Sequence, residues 1–311
     1  MPIPFRPFRS TLPIPTWTCM WTLPPRSLCP SREGGRNDEG RMPLLKTPAI
    51  TLKSRKWGEA DRIVTFYTLR FGKLRGVARG ARRIKSRFGS ALEPFVQCDL
   101  NLFEKPNDTL HRVSQADIRE TFPALRENLA IMAGAARMAN LVTAITPDAD
   151  PAPKIFDTLL RGFRSLNEGH DPGLTTLLFQ IKLLGLTGFR PQTDHCVACG
   201  RDTQASGVGS AGRFSALAGG LVCDGCTSRR SDRYLFLSPG SLAFLQQALR
   251  MTPEMLSRLK ASGQVRIELD LAIEAYVTIV AGKRLPPVDF LVAEPEPPYE
   301  VKPALPQVGP I

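Results

Sequence analysis

The sequence predicts an α+β protein in which a small β-barrel precedes a mainly helical domain, and three observations support this. Between residues 47 and 117, short runs rich in β-branched and aromatic side chains alternate with turn sequences. Beyond Phe122-Pro123 the apolar positions change to helical spacing. Within the helical part, two Cys-x-x-Cys pairs stand 23 residues apart, the mark of a small inserted module. At 311 residues, 42% hydrophobic and 23% charged, the chain can bury a real core and is too apolar to stay unfolded.

Residues 1–41 are Pro-rich and poor in acids, and they lack the apolar core and small-residue cleavage site of a targeting peptide. They read as a disordered extension, with Met42 as a plausible alternative start. Five strands follow, AITL, RIVTFYTL, LRGVAR, FVQCDLNLF and TLHRVSQAD, separated by the turns KWGE, RFGK and EKPND. Five short strands with glycine at the bends suit a small barrel better than a sandwich, and the oligonucleotide-binding (OB) fold has that strand count. Residues 42–120 are assigned to this domain.

Residues 121–192 and 234–293 form the predicted helical domain. Helices are expected over 124–145, 154–166 and 174–186, the last apolar nearly all round and therefore central and buried. Gly188 and Pro191 stop it. Ser238 as N-cap and Pro239 at the first helical position open another helix, and 266–281 supplies one more. Residues 193–233 are the cysteine module, and 294–311 are a Pro-rich tail expected to be flexible. No segment is apolar and long enough to span a bilayer, so no membrane role is expected.

The net charge of +12 favours a polyanionic partner, nucleic acid first. Residues 46–110 hold fourteen Lys and Arg against six acids, most of the excess. Its densest part, GKLRGVARGARRIKSRFG at 72–89, has seven cations, four glycines and no acid. Taken alone, such a run reads first as a solvated loop that happens to be basic, and only second as a surface shaped for phosphates.

Cys196-Val-Ala-Cys199 and Cys223-Asp-Gly-Cys226 form a paired knuckle. Two such turns present four thiolates to one Zn²⁺ at about 2.3 Å, and four sulfurs close the shell, so the site is structural rather than catalytic. The intervening GVGSAGRFSALAGGLV reads as strand–turn–strand. His195 is a flanking residue. Arg201, Arg213, Arg229, Arg230 and Arg233 surround the knuckle and either contact nucleic acid or keep the module soluble. Sparse, odd-numbered cysteines fit a reducing cytoplasm. Cys98 lies mid-strand and reads as a small core residue, and Cys19 and Cys29 carry no reading.

No catalytic constellation emerges. His111, His170 and His195 fall in a strand, a loop and the knuckle, and GKLRGVARGAR lacks the Gly-Lys-Ser/Thr ending of a phosphate-binding loop. Glu59 and Asp61 are expected to pair locally with Arg62 or Lys56. The expectation is a protein that is not an enzyme.

The wording of several segments resembles the recombination-repair mediator family called RecO. TPAITLKSRKWGEADRIV, FGKLRGVARGARRIKSR and ALEPF are similar to the family's N-terminal barrel, FQIKLLGLTGFRPQTDHCVACG to the helix entering its knuckle, and GGLVCDGC to the knuckle's second half. The resemblance covers about residues 47–293; the 41-residue extension and the Pro-rich tail depart from it. It implies a non-enzymatic protein that binds single- and double-stranded DNA, anneals strands, and helps load recombinase onto strands coated with single-strand-binding protein. It also implies two protein partners: the ring-forming RecR, and the acidic C-terminal tail of the single-strand-binding protein, docked on the helical domain. For that tail a hydrophobic groove with a basic rim is expected, near residues 160–164 and 180–184.

With that resemblance, Lys73, Arg75, Arg79, Arg82, Arg83, Lys85 and Arg87 become the expected phosphate-facing line of an OB-fold groove. Gly76 and Gly80 are expected beneath it, and Lys53, Arg55 and Lys56 extend it. Phe66, Tyr67, Phe71 and Phe88 are stacking candidates whose alternative place is the core. The alternatives are an RNA-binding barrel–ribbon protein and a zinc-containing protein adaptor.

Overall fold

The N-terminal strand β1 (Leu44–Trp57) is the spine of the barrel, because both of its edges are paired. The computed structural model describes residues 43–104, 110–202, 212–228, 232–261 and 263–285. The N-terminal extension, the Pro-rich tail, Cys19, Cys29, Arg229 and Arg230 lie outside them. β1 pairs antiparallel with β2 (Asp61–Thr68), which pairs with β3 (Gly72–Ala78). On its other edge β1 pairs with β4 (Gln97–Phe103), and β4 pairs with β5 (Leu110–Glu120). A short parallel seam, Arg75 to Val77 against Leu110 to Arg112, closes the ring in the order β1-β2-β3-β5-β4. Closure leaves no free edge.

Val64, Phe66, Leu74, Phe88, Leu100, Leu102 and Val113 fill the interior. Gly76 belongs to this interior and not, as expected, beneath phosphates. It lies at the closing seam, where a Cβ would stand 2.8 Å from Val113 Cγ2, so a side chain there would push β3 off β5.

The helical part begins with α1 (Ala124–Glu127) and α2 (Leu129–Ile145). The single helix expected over 124–145 is broken at Asn128. Its backbone is extended, and its side-chain oxygen accepts from the Ala130 and Ile131 amides, capping α2. α3 (Pro153–Asn167) and α4 (Pro172–Leu186) follow, with α4 buried continuously from Thr176 to Leu184 as its composition predicts.

A three-stranded sheet, β7-β6-β8, carries the cysteine module: β6 (Gly212–Ser215), β7 (Gly220–Val222) and β8 (Tyr234–Leu237), with the one-turn α5 (Asp224–Thr227) between β7 and β8. α6 (Pro239–Arg250) and α7 (Gly263–Val280) close the domain, joined through a 3-10 turn, Pro253–Arg258. The expected Ser238 cap is present, its Oγ accepting from the Ser241 amide at 3.3 Å. Glu268 of α7 completes it by accepting from the Ser241 hydroxyl and the Ser238 amide, both at 2.7 Å, and those donors hold its carboxyl down at about 2. At the other end of α6, the nearly buried Lys182 of α4 donates to the carbonyls of Leu249 and Met251.

One core joins barrel and helices. Ile50, Leu52, Tyr67 and Phe95 of the barrel segment pack in the same cluster as Phe122 and Phe163, and Phe163 takes the Phe95 and Phe122 rings edge-on at 5.5 and 5.9 Å. Polar contacts back this up: Arg164 of α3 grips Glu120 of β5 with contacts of 2.6, 3.0 and 3.2 Å.

Candidate nucleic-acid interface and metal centre

Local turn chemistry builds the metal centre. The Gly200 amide donates to Cys196 O at 2.8 Å and the Cys226 amide to Cys223 O at 2.9 Å, so each Cys-x-x-Cys pair closes a tight turn. Pairing of the 221 and 197 segments brings the two turns together. All four sulfurs, of Cys196, Cys199, Cys223 and Cys226, then lie within 4.8 Å of one another, with Cys199 and Cys223 3.7 Å apart. A tetrahedral ion with metal–sulfur bonds of about 2.3 Å needs sulfurs ~3.8 Å apart, so the quartet fits one thiolate-bound metal ion.

The electrostatics point the same way. Burial alone would push the Cys196 thiol up, but the amides of Cys223, Ala198 and Cys199 aim at its sulfur and bring it down to about 6. Cys226, beside the sulfurs of Cys223 and Cys199, is pushed up to about 12. Crowded thiols cannot all ionise unaided, and a divalent cation removes the conflict. Arg213, one of the flanking arginines, is tied down, donating to Thr227 Oγ1 at 3.1 Å and lying 3.4 Å from Asp224.

The basic run begins in β3 and continues as an irregular loop over residues 79–96. Its near leg is tied to the β1–β2 turn. Asp61 Oδ1 accepts from the Gly80 amide at 2.8 Å, Ala60 O from the Arg82 amide at 2.9 Å, and Gly58 O from Arg82 Nη1 at 3.0 Å. Its far leg plants Phe88, Ala91 and Leu92 in the barrel core. Asp61 is therefore a loop anchor. The expected pairing with Arg62 does not form, because Arg62 pairs with Glu93 at 2.9 Å.

Arg79, Arg82, Arg83, Lys85 and Arg87 are all exposed on this loop. Among the described residues no carboxylate lies within 4 Å of Arg79, Arg83 or Lys85, and Arg87 lies over the Phe88 ring at 4.9 Å. Arg55 and Lys56 are exposed at the end of β1, with Lys53 half-buried behind them. Arg75 is half-exposed and 3.5 Å from Asp148.

Lys73 does not join this surface. Its ammonium donates to the Thr143 and Thr146 carbonyls at 2.8 and 2.5 Å and lies 3.3 Å from Asp148. The two carbonyls are those of the C-terminal end of α2, where a cation is favoured. The stacking candidates also go to their alternative place: Phe66, Tyr67 and Phe88 are buried, and Phe71 packs against the barrel core. Cys98 is buried as expected, its thiol pushed up to about 12 by burial. The large exposed side chains of this end, Trp57 and Ile84, carried no signal beyond their place in a polar context.

On the helical domain, α3, α4 and the 3-10 turn enclose a groove of about 410 Å³ floored by Leu174, Leu178, Phe179, Leu256 and Leu259. Of the regions expected to dock an acidic tail, Arg161, Gly162 and Arg164 line it, whereas residues 180–184 lie inside the domain. The rim is not basic as expected. Arg161, Arg164 and Lys260 are balanced by Glu168, Asp171 and Glu254. No helix of the described residues is long and apolar enough to cross a membrane.

Comparison with known proteins follows the same partition. Residues 42–122 match the family model for the Recombination protein O N terminal, and residues 126–287 that for the Recombination protein O C terminal. The DNA repair protein RecO of Symbiobacterium thermophilum is 34% identical over 253 residues, 80% of this chain and 97% of its own length. That of Heliobacterium modesticaldum is 37% identical over 220 residues, 70% of this chain and 78% of its own. With an OB-like barrel, a helical body and a four-cysteine cluster in the matching order, the chain belongs to the RecO family of DNA repair proteins.

Proposed function

We propose that this protein binds and anneals DNA strands, without catalysing a chemical step, and helps load recombinase onto strands coated with single-strand-binding protein. The carrying observation is the loop over residues 79–96, held at both legs and presenting five exposed cations. Planar guanidiniums hold phosphate oxygens bidentately. Contacts to phosphate leave base edges free to find a complement, which annealing requires. Arg75, Lys53, Arg55 and Lys56 extend this surface, and the four cysteines hold one structural Zn²⁺. The work is cytoplasmic, at the nucleoid during repair, and the RecR partnership follows from the family resemblance.

The test is fluorescence anisotropy of labelled single-stranded DNA over a salt series, with wild type and Arg79, Arg82, Arg83 and Arg87 all changed to Glu. Each neutralised phosphate adds about −0.7 to the log–log salt slope, so losing four contacts should flatten it by roughly 3 and weaken binding more than about 100-fold. Equal binding by both proteins removes the loop from the interface. A preference for RNA favours the barrel–ribbon alternative instead.

Within the same reading, the groove of the helical domain takes the acidic tail of single-strand-binding protein. Its apolar floor is the supporting feature; Lys260 and Arg161, the latter now 3.1 Å from Glu254, would meet the tail's carboxylates. Arg161→Glu with Lys260→Glu should weaken a labelled acidic tail peptide by about 10-fold or more, since truncating or reversing paired interfacial charges costs on the order of 2 kcal/mol. Unchanged affinity would place the tail elsewhere.

A further inference from the structure

The end of the barrel that carries the cationic loop leaves two large apolar side chains in solvent. Trp57, the last residue of β1, is 54% exposed, and Ile84, at the apex of the loop, is completely exposed. The segments that carry them are tied together. The Arg82 side chain and amide bond Gly58 O and Ala60 O, directly after Trp57, and Ile84 lies two residues beyond Arg82. A single exposed apolar side chain is ordinary. Here one is an indole and the other caps a loop whose two legs are fixed, and Arg82, Arg83, Lys85 and Arg87 flank it. Phe66, Tyr67, Phe71, Phe88 and Phe95 lie in or against the cores and Phe103 is half-buried, so among the described barrel residues Trp57 is the exposed aromatic ring.

We propose that Trp57 and Ile84 contact the bases of the strand whose phosphates the loop holds. The indole stacks on an unpaired base, and Ile84 packs beside the next one and keeps it from restacking. Stacking tolerates any sequence because every base has a π face, and branched apolar side chains are known wedges between base steps. Cations alternating with these two side chains would keep the backbone aligned while the bases turn inward. This rests on the phosphate-grip reading.

The experiment uses the full chain with Trp17→Phe and Trp21→Phe, which leaves Trp57 as the one indole of three. It is titrated with an oligothymidylate and with an abasic deoxyribose-phosphate chain of equal length. The expected result is that the oligothymidylate quenches Trp57 emission and the abasic chain does not. Trp57→Ala should weaken oligothymidylate binding by about 10- to 100-fold. Ile84→Ser should weaken it by roughly 3- to 10-fold. Neither should change the salt slope, which counts phosphates, and Trp57→Phe should keep most of the affinity. If wild type binds with a steep salt slope but both polymers quench alike, or both variants bind as tightly as wild type, the base contact is overturned and the phosphate grip stands. If wild type shows no salt-dependent binding, both readings fall together.

Discussion

Gly72→Ala should lower the thermal midpoint by roughly 6–15 °C, taking about 2–4 °C per kcal/mol for a domain of this size. Gly72 opens β3 at φ +66°, and a Cβ there would stand 2.0 Å from the carbonyl oxygen of Asp150. The alanine meets two costs. The left-handed backbone disfavours a side chain by about 1–2 kcal/mol, and forcing a methyl into packed backbone adds about 1–3 kcal/mol. The carbonyl cannot swing away cheaply, because the segment around it is bonded to the barrel through Ala149 N to Lys73 O at 2.9 Å and through Lys73 to Asp148. Gly58→Ala is the control. Its φ is +55° with nothing within 4 Å, so only the backbone cost remains. Circular-dichroism melts of the two variants check this, and equal shifts would mean that the contact with Asp150 is not tight.

If the cysteine quartet holds one Zn²⁺ as proposed, Cys223→Ser should take the metal content from one ion per chain to near zero by plasma mass spectrometry. Apparent binding energies of structural zinc, about 10–16 kcal/mol, are folding energy for small modules, and three ligands do not replace four. The loss should also reach the helical body. Phe214 of β6 is fully buried with its ring 5.9 Å from Tyr276 of α7, and Leu221 and Leu237 belong to the main core. Limited proteolysis should therefore cut within residues 193–233, and the whole chain should melt earlier. A variant that keeps one ion per chain would show that a three-sulfur site suffices.

The features legible in the sequence were those whose cause is local. The two cysteine pairs announce themselves because a tight turn fixes both ligands within four residues, and α4 because an all-round apolar helix has only one place to go. The Ser238-Pro239 opening was legible for the same reason, although Glu268, which completes the cap, lies thirty residues on. Lys73 and Gly76 were misplaced because strand alternation says which residues share a face, not what that face meets. Outward from β3, Lys73 meets the end of α2; inward, Gly76 meets Val113. In β1 the alternation disappears, since Ala49, Ile50, Thr51 and Leu52 are all buried, with barrel on one side and helices on the other. The break at Asn128 was hidden by helix-favouring neighbours on both sides. Asp61 was taken for a local ion-pair partner because its true partner, the Gly80 amide, is a backbone group nineteen residues away.

The core shared by barrel and helices has a mechanical consequence. Phe163 is clasped by Phe95 and Phe122, and Lys73 is bonded to the end of α2, so among the described residues the two halves are cross-linked by packing and by hydrogen bonds. On the proposed function, a strand on the cationic loop and a peptide in the groove between α3 and α4 would be held at a constant span, like work clamped in a jig. Travel during pairing then falls to the polymer. On that reading the DNA would slide, turn and test its complement against a stationary fixture, which the partner's tail would fasten to the place where the search begins.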